Sequence, residues 1–301
     1  MKRSLSEHLT PRSAEYLLMG IISLRATSFM FSKLCLQTMT SVNLLGLRFS
    51  VAAIVLCLIF LRRLMKTLTL RDAGKGILMG CIYFLVVNCE LTGLKTVSSA
   101  TGSFLENMAI IIVPLLEAVL CRRLPKKREL ICALLAVCGV ALLTLKPEGL
   151  VITGGEGFLL LAALFYASGI IVTSRLSREG DTLNMGIIQV VTLGLLNLLS
   201  ALLTGNFTLP ETDAQWGMIL CLALLCTCLG FTLQPVAQSR TSSEKASLFC
   251  AISPLVAGIL SVAVMHEGLT LSGALGELLI LLVLIFRNPI KRRTDHENPA
   301  C

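Results

Sequence analysis

Apolar residues fill most of the chain in runs of 18 to 23 positions, and short polar segments separate these runs. A helix needs about 20 apolar residues to cross a hydrocarbon core of roughly 30 Å, because lipid offers no partners for backbone N–H and C=O groups. The pattern predicts ten membrane-spanning helices, at residues 14–34, 43–61, 76–94, 98–120, 129–146, 156–175, 184–204, 216–236, 244–265 and 269–287. The predicted fold class is an all-α polytopic membrane protein without a separate soluble domain.

Composition and charge agree with a membrane protein. Hydrophobic residues make up 55% of the chain and charged residues 15%, whereas a soluble domain has about 25% charged residues. If the N-terminus is cytoplasmic, most of the 26 lysines and arginines fall in cytoplasmic segments, as the positive-inside rule requires. We therefore expect a multi-pass protein of the plasma membrane with both termini in the cytoplasm. Basic loops beside an anionic leaflet explain the net charge of +8, so no nucleic-acid partner is expected.

The chain contains an internal repeat. The stretch "SSATGSFLENMAIIIVP" at 98–114 resembles "SSEKASLFCAISP" at 242–254, although it is four residues longer. A second pair of similar stretches lies at 131–143 and 274–286. Five spans per half make the second half enter the membrane from the opposite side, which gives an inverted repeat. We expect a first five-helix repeat at 1–150 and a second at 151–301, which ends in a cytoplasmic tail.

Two carboxylates interrupt the fourth predicted span, in "SFLENMAIIIVPLLEAV" at 103–119. At 100° per residue, Ser99, Ser103, Glu106 and Glu117 share one stripe of a helix, with the two glutamates about 16 Å apart. A charge facing lipid costs about 2.5–3.5 kcal/mol, so we expect the stripe to line a wet cavity. The alternatives are a structural pair between Glu106 and a neighbouring helix, and a Glu117 side chain that reaches the interface beside Arg122 and Arg123.

Further polar side chains lie at similar depth. Arg25 is near the middle of the first span, where we expect it to pair with Glu106 or Glu90. It is either a fixed clamp or the receptor for a substrate carboxylate. The predicted substrate-binding residues are Arg25, Asn88, Glu90, Ser99, Ser103, Glu106, Asn107, Tyr166 and Gln234. Glu106 and Glu90 are also the candidates for proton coupling.

Three prolines lie inside predicted spans, at Pro114, Pro235 and Pro254. Each is predicted to kink its helix, either to permit movement or as a passive bend. The small residues of "GILMG" at 76–80 predict close helix packing. Glu277 in the tenth span follows the small residues of "SGALG", and we expect an oligomer contact there, such as that of a homodimer.

Several motifs carry a family resemblance. They are "SFMFSKLCLQTMTSVNLLGLRFSVAAIVL", with Lys33 and Arg48-Phe49, "FLENMAIIIVPLLEAVLCRRLPKKRELICALLAVCGVALLTLKP", and "ISPLVAGILSVAVMHEGLTLSGALGELLIL", with Glu267. The chain resembles the drug/metabolite transporter superfamily, EamA type, over nearly its full length. The resemblance implies ten helices in two inverted bundles and a central cavity lined by the first, third, fourth, sixth, eighth and ninth. It also implies export or exchange of small metabolites. Leu24-Arg25 stands where the family usually has Trp-Gly.

The predicted function is secondary active transport of a small-molecule substrate by alternating access. A cavity mixing arginine, glutamate, asparagine, serine and tyrosine suits a zwitterion such as an amino acid. The alternatives are an uncoupled channel or facilitator and a lipid-handling membrane protein. An intramembrane enzyme is disfavoured, because "HEGLT" at 266–270 lacks the second histidine of a zinc protease and no span holds a pair of aspartates. No metal or cofactor is expected, since the twelve cysteines lack ligand spacing.

Overall fold

A computed structural model describes residues 9–122, 154–205, 207–250 and 252–265, together with isolated residues and short runs within 124–150 and 274–282. Its regular elements are, in chain order, α1 (Pro11–Cys35), α2 (Ser41–Thr67), α3 (Leu70–Leu94), α4 (Ser99–Glu106), α5 (Ala109–Leu120), β1 (Leu145–Lys146), β2 (Gly149–Leu150), α6 (Gly154–Leu176), α7 (Thr182–Leu203), α8 (Asp213–Cys221), a π-helix (Leu222–Leu229), α9 (Gly230–Gln238), α10 (Ser243–Phe249) and α11 (Ile252–Met265). The two short strands pair in antiparallel fashion, with Leu145 opposite Leu150.

The described residues contain eight helical segments that are long and apolar enough to cross a membrane. They correspond to the first four and the sixth to ninth predicted spans. The fifth and tenth predicted spans, with Glu267 and Glu277, lie largely or wholly outside the described residues. The all-helical, multi-pass architecture is therefore confirmed, and the count of ten stays a prediction.

Most helices begin at a residue that caps their free N–H groups. Thr10, Thr40, Thr69, Ser98 and Asp181 accept backbone N–H bonds at the starts of α1, α2, α3, α4 and α7. The start of α8 has a capping box, in which Thr212 and Gln215 each accept from the other's backbone. These caps explain why the short connections still fix where each span starts.

The fourth and ninth spans are each interrupted before a proline. α10 ends at Phe249, about one turn before Pro254, whereas α4 ends at Glu106, about two turns before Pro114. A proline ring conflicts with the carbonyl four residues earlier, which is Ile110 for Pro114 and Cys250 for Pro254. Around Ile110 the backbone tightens to i−3 hydrogen bonds, and the same bond type joins Ser253 to Cys250. The fourth span is divided into α4 and α5, with Pro114 inside α5, and the ninth into α10 and α11. Pro235 lies inside α9 without such a break.

The main helix contacts join the two halves of the chain. α2 packs along α7, α3 packs against α6 and α7, and α1 packs against α11. Small residues allow the close approach of α3 to α7, because a Cβ added at Gly80 would lie 2.6 Å from the Thr192 Cβ. The interior of the molecule is thus an interface between the first and the second half.

One end of the bundle is held by ion pairs. The three ion pairs found among the described residues are Arg63–Asp181 at 2.7 Å, Arg71–Glu179 at 2.8 Å and Lys245–Glu15 at 3.2 Å. Each joins the first half to the second. All lie at the end predicted to be cytoplasmic, where Ser243 also donates a hydrogen bond to the Glu117 carboxylate.

Candidate functional site

A small polar cavity lies between the two halves. Its volume is about 20 Å³, and its lining is Ile22, Arg25, Ser28, Phe29, Glu90, Glu106, Asn107, Tyr166 and Ser253. These residues come from α1, α3, α4, the turn after α4, α6 and α11. A volume of this size holds about one water molecule. The cavity therefore brings an arginine and two glutamates together in a confined space.

Arg25 makes its contacts with the eighth and sixth spans. Its Nη1 donates to Gln234 Oε1 at 2.6 Å, and its guanidinium carbon is 4.3 Å from the Phe231 ring centroid and 5.5 Å from that of Tyr166. A guanidinium over aromatic faces is stabilised by their quadrupoles. Gln234 Nε2 in turn donates to Tyr83 Oη at 2.9 Å. Arg25 is therefore oriented by a neutral amide and two aromatic rings.

The expected direct pairing of Arg25 with Glu106 or Glu90 is not found. Among the described residues, neither carboxylate lies within 4 Å of a guanidinium nitrogen of Arg25. The reason is that Gln234, from the opposite half, occupies the short contact with the guanidinium. Both carboxylates are buried and line the cavity with Arg25. They act on the arginine through the field in the cavity and leave its hydrogen-bonding edge partly available.

The turn between α4 and α5 supplies neutral polar groups. Asn107 Nδ2 donates to the Ser103 carbonyl at 2.7 Å, while Asn107 Oδ1 is buried and has no hydrogen-bond partner within the described part of the chain. Ser103 and Ser253 share a hydrogen bond of 3.2 Å across the two halves. The amide oxygen of Asn107 is thus an acceptor in the wall of the cavity.

Not every predicted site residue reaches the cavity. Arg25, Glu90, Glu106, Asn107 and Tyr166 line it.

The other four predicted residues lie elsewhere. Gln234 and Ser103 form the layer behind the cavity. Ser99 is buried in α4 and is not part of the lining. Asn88 points away, because its Nδ2 donates to Asn197 Oδ1 on α7 at 3.0 Å.

The cavity also contains residues that the sequence did not single out. Ile22, Ser28 and Phe29 lie three or four positions from Arg25, so helical periodicity alone would have placed them on its face. Ser253 precedes Pro254, and its hydrogen bond with Ser103 depends on the contact between α4 and α11, which the sequence does not show. Phe231 contacts Arg25 without lining the cavity, and it gave no sequence signal because a phenylalanine in an apolar span is ordinary.

Glu106 and Glu117 do not share one continuous helix. The turn at residues 107–108 separates α4 from α5, so the predicted single stripe is divided. Glu117 accepts a hydrogen bond from Ser243 and is not part of the cavity lining. The two carboxylates of the fourth span therefore have different surroundings.

The described residues therefore form a polytopic membrane protein with eight segments that can cross the membrane and an internal charged cavity. The sequence profile of the EamA-like transporter family matches residues 12–145 and again residues 153–288. The chain belongs to this family, within the drug/metabolite transporter superfamily, as its motifs predicted. The two matches are two copies of the family domain, one on each side of the predicted division at residue 150.

Two relatives have names that give no more than their class. An uncharacterized transporter of Archaeoglobus fulgidus is 27% identical over 262 residues, which are 86% of this chain and 80% of the relative. The uncharacterized transporter YetK of Bacillus subtilis is 24% identical over 267 residues, which are 85% of this chain and 80% of the relative. A solved crystal structure has the same fold, with a TM-score of 0.67 and 16% identity over 92% of this chain and 96% of its own.

Proposed function

We propose that the chain is a secondary active transporter that exports or exchanges small zwitterionic metabolites, such as amino acids, across the plasma membrane. It works by alternating access with both termini in the cytoplasm. The observation that carries this proposal is the composition of the cavity, where Arg25 lies with Glu90, Glu106 and the amide oxygen of Asn107, which has no partner among the described residues.

The cavity offers both signs of charge to a zwitterion. A guanidinium has five N–H donors in a fixed fork, and in Arg25 one nitrogen is used by Gln234. The remaining donors suit a substrate carboxylate, for which arginine is the best planar partner. A substrate ammonium finds acceptors in Glu106 and Asn107. A purely apolar molecule would leave these charges without compensation at a cost of several kcal/mol.

The size of the cavity supports alternating access over a permanent pore. Ligand pockets usually have volumes of about 300–1,000 Å³, whereas this cavity measures about 20 Å³. A metabolite can enter only if helices move apart. The breaks before Pro114 and Pro254 supply places where the fourth and ninth spans can bend.

We infer that the gate at the predicted cytoplasmic end is shut, because ion pairs cross it. Arg63–Asp181, Arg71–Glu179 and Lys245–Glu15 tie the two halves together at the predicted cytoplasmic end. Opening to the cytoplasm separates these pairs. Arg71–Glu179 and Lys245–Glu15 are the more exposed pairs, and such pairs contribute only about 0–1 kcal/mol each. Arg63–Asp181 is more buried, so its separation is the larger part of the cost of opening this gate.

Glu106 is the first candidate for proton coupling and Glu90 is the second. A buried carboxylate next to a substrate ammonium can exchange its proton for the substrate charge, which links the two movements. In proteoliposomes we expect Glu106→Gln to retain exchange of substrate across the membrane but to lose accumulation driven by an imposed pH gradient. Wild-type accumulation by Glu106→Gln under that gradient would show that this carboxylate carries no coupling proton.

Glu117→Gln is the matched control for this experiment. Glu117 is the other carboxylate of the same span, but it contacts Ser243 and lies outside the cavity. We expect it to keep the response to the pH gradient.

A lipid-handling role is the second candidate, and one feature favours it. An apolar groove of about 330 Å³ runs between α2 and α7, lined by Ser50, Ala53, Ile54, Cys57, Leu58, Val191, Gly194, Leu195 and Leu198. It is wide enough for an acyl chain, but its described lining contains no charged residue for a head group. Counterflow separates the classes: a transporter exchanges labelled for unlabelled substrate, a channel conducts without counterflow, and a lipid-handling protein moves labelled lipid instead.

A further inference from the structure

The eighth span changes its helix type in the middle of the membrane. It starts as α8, continues as a π-helix over Leu222–Leu229 and ends as α9. In a π-helix the hydrogen bonds run from i to i+5, so each turn holds one more residue than an α-helical turn. π-helices are rare and usually one turn long, and many lie at functional sites. A π segment of eight residues is therefore unusual, and specific contacts are needed to stabilise it.

Thr227 stabilises the π segment from within. Its hydroxyl donates to the carbonyl of Leu222, five residues earlier, at 2.9 Å. This bond spans the same distance along the chain as the backbone bonds of a π-helix. Thr227 is fully buried, so its hydroxyl has no competing solvent.

Arg48 on α2 holds the same hydroxyl from outside. Its Nε donates to Thr227 Oγ1 at 2.7 Å, and its side chain is only 3% exposed. A charged donor makes this hydrogen bond stronger than a neutral one. Arg48 does not line the cavity and is therefore not explained by contact with a substrate there. It connects the first half of the chain to the π segment of the second half.

The π segment determines which side chains of the following helix, α9, point toward Arg25. Phe231 and Gln234 follow the segment within five residues, and both contact the Arg25 guanidinium. If the segment became α-helical, each residue removed from its turns would rotate the following helix by about 100°. Gln234 would then face away from Arg25.

The start of α9 is already close to α1 and α7, which makes its register important. A Cβ added at Gly230 would lie 2.8 Å from Arg25 Cγ, so the arginine stem runs along the backbone of α9. A Cβ added at Gly186 on α7 would lie 2.9 Å from the Thr232 Cα. Bulky side chains rotated into either contact would collide with a neighbouring helix.

We propose that Arg48 and Thr227 are a positioning pair, which holds the π segment of the eighth span in the register that turns Gln234 and Phe231 toward Arg25. The pair acts on the substrate site only through Arg25. The importance of this pair for transport rests on the proposed function, whereas its effect on the register does not.

A crosslink tests the register without any substrate. Thr27 Oγ1 on α1 lies 3.4 Å from the Sγ of Cys226, which is the neighbour of Thr227 in the π segment. In a background that keeps Cys226 as the sole native cysteine, Thr27→Cys should form a disulfide on mild oxidation. We expect Thr227→Val to slow this crosslinking about tenfold or more, which is the loss expected when a hydrogen bond to a charged group is removed. Thr227→Ser keeps a hydroxyl and should crosslink at the original rate.

Thr192→Val is the matched control. The Thr192 hydroxyl also donates to a carbonyl of its own helix, that of Ile188 at 2.9 Å, but at the regular i−4 spacing and without an arginine. We expect it to change neither the crosslinking nor transport. If Thr227→Val is not recovered as folded protein, Arg48→Gln is measured in the same assay and should also slow the crosslink.

Transport supplies the second readout. We expect Thr227→Val to raise the KM for substrate more than it lowers the maximal rate, because the orientation of Arg25 is disturbed while the helices still move. Crosslinking and KM of Thr227→Val that equal those of wild type and Thr192→Val would overturn the proposal. A wild type that transports no zwitterion, with a crosslink that still depends on Thr227, would refute the proposed function and leave the positioning role intact.

Discussion

The two halves of the chain carry the same family domain, but at the cavity one half contributes charged side chains and the other contributes neutral polar ones. The first half supplies the charged side chains at the cavity and directly beside it, which are Arg25, Arg48, Glu90 and Glu106. The second half supplies the neutral groups that face them, which are Tyr166, Thr227, Gln234 and Ser253. Within the described part of the chain, no charged side chain of the second half lines the cavity.

This difference shows how an internal repeat can lose its symmetry at the interface between its two halves. The spacing that matches Ser98 with Ser242 in the internal repeat predicts that Gln234 in the eighth span corresponds to Glu90 in the third. A carboxylate at both positions would give Arg25 a direct ion pair and fix it there. The amide orients Arg25 without neutralising it, so the guanidinium stays available for a ligand.

The largest effect is expected from removing the arginine itself. Arg25→Met leaves Glu106 without the cation it faces, and it removes the donors for a substrate carboxylate. Glu90, in contrast, keeps Arg48 as a neighbour. Loss of a charge-assisted hydrogen bond contributes about 1.5–3 kcal/mol, so we expect the ratio of maximal rate to KM to fall about 10- to 150-fold. Counterflow of labelled amino acids in proteoliposomes measures this ratio.

Arg25→Lys is the companion variant for that prediction. Lysine keeps the charge but loses the planar fork, so we expect an intermediate rate. If Arg25→Met exchanged amino acids as fast as wild type, the charge of the first half would have no part in substrate binding.

The second effect comes from restoring the symmetry. Gln234→Glu places a carboxylate at the hydrogen-bonding distance of 2.6 Å from Arg25, where an ion pair forms. We expect slower transport, since Arg25 is then neutralised, but a melting temperature no lower than that of wild type.

Gln238→Glu is the matched comparison, one turn further along α9. Gln238 is also buried, but its Oε1 has no hydrogen-bond partner among the described residues. The same change there buries a charge without a cation, and we expect destabilisation by about 3–5 kcal/mol. Equal melting temperatures for Gln234→Glu and Gln238→Glu would mean that Arg25 does not stabilise a carboxylate at position 234.

The smallest effect concerns the contact between the halves rather than their charge. Gly80→Ala adds a methyl group against Thr192, where the gap is only 2.6 Å, so α3 and α7 must move apart. Gly74→Ala is the control, because nothing lies within 4 Å of its added Cβ. In a helix interior, alanine is favoured over glycine by about 1 kcal/mol, so Gly74→Ala should be neutral or stabilising. Thermal unfolding should show Gly80→Ala as the less stable of the two, and the reverse order would contradict the close packing.

The apolar runs were enough to place the described spans. Their length and hydropathy are local properties, and the eight described segments match the predicted ranges closely. Arg25, Glu90, Glu106, Asn107 and Tyr166 could be chosen as site candidates because a polar group inside a span has to face protein or water.

What the sequence could not predict depends on contacts between distant helices. The partner of Arg25 is Gln234, 209 residues away, and no helical spacing brings these two together. Asn88 has the same polarity and depth as the cavity residues, yet it packs against Asn197. The π segment at Leu222–Leu229 also lacks a signature, because its residues would be equally at home in a regular apolar helix.

The most direct test of the central claim is binding, measured as the thermal stabilisation of purified protein by a panel of amino acids and of the amines that lack their carboxylate. A ligand that binds the folded state raises the melting temperature according to its affinity. We predict that at least one zwitterion stabilises the wild type and fails to stabilise Arg25→Met, while the corresponding amine stabilises neither. Stabilisation of Arg25→Met by the same zwitterion to the same extent would contradict the claim that the charged cavity of the first half is the substrate site.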